Sequence, residues 1–90
     1  MPISISKIEG EKRVKVDTLA KNKWELLAQF NVFEEWVKNE AKNLESGKWI
    51  ADIGFSPRSD ACGGGPIISP EVMQACIDIG LSIYLSEYCD

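Results

Sequence analysis

Histidine is missing from this 90-residue chain. With it go the commonest general base, the usual partner of a catalytic serine or cysteine, and the commonest transition-metal ligand. Cysteine is scarce and odd in number. Cys62, Cys76 and Cys89 form no CxxC pair, and their intervals of 14 and 13 residues match neither a zinc ribbon nor a zinc finger. The reading is therefore free thiols in a reducing compartment, the cytosol, with Cys76 as a small core residue inside an apolar helical pattern. No apolar run approaches the roughly 20 residues that span a bilayer. The start, Met1-Pro2-Ile3-Ser4-Ile5-Ser6-Lys7, has no basic stretch followed by an apolar one, so no secretory leader is expected. Neither a metal nor a cofactor is expected.

Basic residues are lacking in one half only. Residues 1–45 hold eight basic and eight acidic side chains. Beyond them only Lys48 and Arg58 stand against Asp52, Asp60, Glu71, Asp78, Glu87 and Asp90, so the whole net charge of −4 lies in the second half. Such a field repels phosphate backbones and favours basic partners. The Lys and Arg of the first half alternate with acids and make no basic face, which argues against nucleic acid. What the chain does have is apolar material: 44% of its residues are hydrophobic, enough for one core but not two at this length. We read residues 1–90 as a single domain.

The order of elements follows from periodicity. Ile3-Ser4-Ile5-Ser6 and Arg13-Val14-Lys15-Val16 alternate at period two around Glu9-Gly10, which predicts a hairpin. From about Lys21 to Glu45 the spacing is helical, with Leu26, Leu27, Phe30, Phe33, Val37, Ala41 and Leu44 in one arc of about 120°. Asn31 is placed to cap a second helix with Glu34 three residues on, so one helix or two consecutive ones are both open. Trp49-Ile50-Ala51-Asp52-Ile53-Gly54-Phe55 alternates again and Pro57 stops it. Ser69-Pro70-Glu71 reads as N-cap, first helical proline and first-turn acid, and Gly80 ends that short helix. In the last segment Leu81, Ile83 and Leu85 face one way and Ser82, Tyr84, Ser86 and Tyr88 the other. The expected fold is α+β, a two-layer sandwich in which a mixed four-stranded sheet carries its helices on one face, in the order β-β-α-β-α-β, with a right-handed crossover between parallel last strands.

Three constellations carry functional weight. The stretch Arg58-Ser59-Asp60-Ala61-Cys62-Gly63-Gly64-Gly65-Pro66 is glycine-rich but has neither GxxxxGK[ST] nor GxGxxG, and Glu71 puts negative charge where a phosphate would sit. A partner-recognition loop fits it better than an anion cradle. Cys62 has Arg58 nearby to lower its pKa but no usual base. Trp24, Ala28, Val32 and Trp36, spaced by four, form a second apolar row outside the core arc. Either Asn31 resets the phase or the row meets another surface, and Trp24 and Trp36 are expected to be partly exposed. Tyr84 and Tyr88, with Ser82 and Ser86, make an adaptable contact face beside Glu87.

The last third, from Trp49 through Gly63-Gly64-Gly65-Pro66-Ile67-Ile68-Ser69-Pro70-Glu71 to Leu85-Ser86-Glu87-Tyr88, resembles uncharacterised small bacterial α+β domains in its strand, glycine loop, SPE helix and closing strand. In size, acidity and lack of catalytic groups the chain is similar to toxin-neutralising immunity proteins. That resemblance implies a bacterial or phage protein that binds and blocks a larger partner. The expectation is thus a non-catalytic, cytoplasmic, acidic binding module for a basic protein. Its contact residues would come from Trp24, Val32, Trp36, Arg58, Asp60, Tyr84, Glu87 and Tyr88. A homodimer pairing Trp24, Val32 and Trp36 across a two-fold axis is the alternative, and a thiol- or anion-binding loop the third.

Overall fold

The computed structural model describes residues 2–89. Strands β1 (Ile3–Glu9) and β2 (Lys12–Leu19) form the hairpin, followed by helix α1 (Leu26–Asn39) and a single 3₁₀ turn at Ala41–Asn43. Strand β3 (Lys48–Phe55), helix α2 (Pro70–Ile79) and strand β4 (Leu81–Glu87) complete the chain. The sheet has four strands in the order β2-β1-β3-β4. β1 runs antiparallel to both of its neighbours, and β3 and β4 are parallel. The architecture is the expected mixed-sheet α+β sandwich.

Alternation puts Ile3 and Ile5 of β1, Trp49, Ala51 and Ile53 of β3, and Leu81 of β4 on one face, and all are buried against the helices. α2 is framed as its sequence dictates. The Ser69 side chain accepts a hydrogen bond from the Val72 N–H at 3.2 Å, and Gly80 closes the helix in the left-handed region with φ of 76°. Its Val72, Cys76 and Ile79 point into the core. Lys38 of α1 has its pKa held above the ordinary value by the hydrogen bond and charge of Glu34, with the more distant Glu71 of α2 adding to it.

The long helix takes one of the two open alternatives: it is continuous through Asn31, so that residue caps nothing. It departs from the sequence reading in two ways. It starts at Leu26 rather than near Lys21, and its regular turns end at Asn39. And its buried face is turned toward Trp36: Gln29, Phe30, Phe33, Trp36 and Val37 are buried, whereas Leu27 is 58% exposed. On a helical wheel this moves the buried arc by about 60°. Gln29 is the reason. It is fully buried, and its amide donates to the Gly54 and Lys23 carbonyls, each at 2.7 Å. A polar residue at the centre of a flank hides from apolar periodicity that the flank belongs to the core.

A groove at the ends of the parallel strands

β3 and β4 stop at the same end of the sheet, where Phe55 pairs with Glu87. The start of α1 is fixed over that end. The Ser56 N–H donates to the Trp24 carbonyl at 2.8 Å, and Gln29 holds the Gly54 carbonyl from the next turn. α2 lies toward the other end of β4, because it must finish beside Leu81. Burial along β4 records this: Leu81 is 8% exposed, Ile83 is half-buried and Leu85 is 55% exposed. Apolar strand surface is thus left uncovered between α1 and residues 56–69.

The result is a groove of about 570 Å³. Leu26, Leu27 and Phe30 of α1 form one side, with Phe55 and Leu85 at the strand ends. The glycine-rich loop forms the opposite wall through Pro57, Gly64, Gly65 and Ile68. Gly63, Gly64 and Gly65 all have positive φ, of 99°, 79° and 130°, which explains three glycines in a row. The Arg58 guanidinium donates to the Gly63 carbonyl at 2.9 Å and clips the loop to itself. Glu25, Glu87 and Arg58 are the charged residues of its lining, two carboxylates to one guanidinium.

The sequence-derived contact residues divide into separate groups. Arg58 and Glu87 line the groove. Asp60 is exposed in the same loop but does not line it. Trp24, 41% exposed, meets the ring of Tyr88 edge-on, with centroids 6.1 Å apart. Tyr88 lies against Gly54, and Tyr84 stands 49% exposed on the helix-free face of β4. Beside them the Asp52 carboxylate accepts from Ser86 Oγ at 2.6 Å and faces Arg13 at 3.9 Å, giving that sheet face a polar, cross-linked surface. Val32 is half-buried on α1. Trp36 corrects the expectation of exposure. It is 9% exposed and stacked on Phe33 at 6.2 Å. Since Trp24 precedes the helix and Trp36 lies in the core, the expected surface row of Trp24, Val32 and Trp36 does not exist. The groove residues Leu26, Leu27 and Phe55 were missed because periodicity assigned all three to the core.

The cysteines are free thiols: Cys62 and Cys89 are exposed and Cys76 is buried. Burial also pushes the Cys76 pKa above its ordinary 9.0. We expect a disulfide-exchange reagent at neutral pH to titrate two thiols quickly and the third only as the chain unfolds; three fast thiols would contradict the packing of α2. The sign for stability follows. Cys76 contributes stability below the ordinary thiol pKa that is lost as pH rises through its raised value. Among the described residues no cluster of three or more His, Cys, Asp or Glu is placed to hold a metal ion, and no helix is long and apolar enough to cross a membrane. Comparisons with protein-family models, with curated proteins and with solved structures found no significant match.

Proposed function

We propose that this chain is a non-catalytic protein-binding module of the immunity or inhibitor kind, which uses the groove at the strand ends to block a larger, basic partner. The observation that carries the reading is the pairing of an open apolar floor with a net acidic lining. Leu27 and Leu85 are each more than half exposed, an expensive arrangement in water unless something covers them. Glu25 and Glu87 beside them favour a cationic partner and steer its approach. Absence of histidine supports the non-catalytic part. The cytosol of a bacterium, or of a phage-infected one, is the setting proposed with it, in line with the free thiols.

Short peptides with an apolar anchor flanked by lysines and arginines, screened beside acid-flanked versions, test this reading. The basic set should bind the wild-type chain, and affinity should fall as salt rises. Leu27→Glu should lower affinity tenfold or more while leaving the melting temperature within a few degrees, because the side chain is exposed. Equal binding by the acidic set, or an unaffected Leu27→Glu variant, would reject the groove as the contact surface.

A further inference from the structure

The two edges of the sheet are built differently. β2 carries Lys12, Arg13, Lys15 and Asp17, and its register against β1 slips between Ile5 and Ser6. Charges and a bulge are the devices by which edge strands avoid pairing with other chains. β4 has no bulge and little charge. Leu81-Ser82-Ile83-Tyr84-Leu85-Ser86-Glu87 runs in unbroken register on β3, with no proline, no lysine and a single charge at its end. Its outer row of N–H and C=O groups has no neighbouring strand.

α2 also leaves apolar surface outside the core: Val72, Cys76 and Ile79 are buried, whereas Met73 and Ile77 are 48% and 70% exposed.

We infer that β4 is the pairing edge of a symmetric dimer, in which a second copy of this chain adds its own β4 antiparallel across a two-fold axis at Tyr84. The register is dictated by the strand. Only a pairing centred on Tyr84 uses the whole strand and keeps each chain's apolar face beside the other's. It sets Ile83 against Leu85, Ser82 against Ser86 and Tyr84 against Tyr84, each a like-with-like match. Glu87 falls opposite Leu81, so the two Glu87 carboxylates lie at opposite ends of the pair rather than together. α2 lies toward the Leu81 end of β4, and antiparallel pairing brings that end beside the other copy's exposed Leu85, so the two α2 helices stand at opposite ends of the shared strand pair. The sheet becomes continuous across both chains, closed by symmetry, with only the charged β2 edges left outside. Leu85 and Glu87 belong both to this edge and to the groove, whereas Tyr84 lines no part of it, so a Tyr84 variant separates the dimer from the binding reading.

Sedimentation equilibrium on the full chain tests it. Wild type should give twice the 10.0 kDa chain mass at micromolar concentration. Tyr84→Lys, which opposes two ammonium groups on the axis, and Tyr84→Glu, which opposes two carboxylates there, should each return the chain mass. Circular dichroism and thermal melts would show both variants folded, since the side chain is exposed. A wild-type protein at the chain mass up to about a hundred micromolar would overturn the inference. So would a dimer that both Tyr84 variants leave intact.

Discussion

Replacing Trp36 by alanine will cost roughly 3–5 kcal/mol of folding stability, because truncating a buried aromatic loses both its transfer free energy and the packing around it. A domain of this size holds about 5–13 kcal/mol in total. The variant should therefore melt about 15–30 °C lower, at the usual few degrees per kcal/mol for small domains. Trp36 is 9% exposed and lies 6.2 Å from Phe33 in a near-parallel stack, so the loss also unseats a neighbour. Trp24→Ala is the control: that ring is 41% exposed and edge-on to Tyr88, and its removal should cost about 1 kcal/mol. Equal, small effects at the two tryptophans would mean that α1 does not sit as described.

The second large effect is expected at Gly80. Its φ of 76° is left-handed, which costs an L-residue about 1–2 kcal/mol. A methyl group there would also run into the carbonyl of Gly47. That backbone has little room to retreat, because the Gly47 N–H donates to the Ile79 carbonyl and the Trp49 N–H to the Gly80 carbonyl, both at 3.0 Å. Gly80→Ala should thus destabilise by more than about 3 kcal/mol and open the join between β3 and the end of α2. Gly10 separates the two causes. It has φ of 64° but nothing within 4 Å of an added Cβ, so Gly10→Ala should show the backbone cost alone. Denaturant melts of the two variants measure the difference, and equal midpoints would remove the clash from the account.

Much of this fold could be read from the chain because local signals agreed with the global packing. The Ser69-Pro70 start and Gly80 stop of α2 rest on backbone geometry that tolerates few other residues, and they lie where they were expected. The strands were legible from alternation, although β1 and β2 run several residues further than Ile3–Ser6 and Arg13–Val16. Pairing along a hairpin continues as long as partners remain, whether or not the side chains alternate cleanly.

Tertiary contacts decided the rest. Gln29 joined the core because two carbonyls, those of Lys23 and Gly54, needed a donor there. Its arrival turned the helix, drew Trp36 inward and left Leu27 in the open. No one-dimensional pattern records that α2 is too short to cover Leu85, which depends on where β4 ends relative to the helix. The groove is a product of those two displacements, so its apolar residues read as ordinary core in the sequence. Arg58 and Glu87 were legible because charge beside a glycine-rich loop and at a strand end stands out from its surroundings. Met73 and Ile77 also read as core, because an apolar helical pattern does not show how much of a short helix its neighbours cover.

On the proposed function, partners enter at the strand ends between α1 and the glycine-rich loop. An amide chemical-shift map of the ¹⁵N-labelled chain, titrated with a lysine-flanked apolar peptide, tests it most directly. The largest shifts are expected at Leu26, Leu27, Phe55, Gly64, Gly65 and Leu85, with Tyr84, Ser82 and Arg13 on the helix-free face unmoved. Shifts concentrated on that helix-free face, with the groove amides silent, would contradict it.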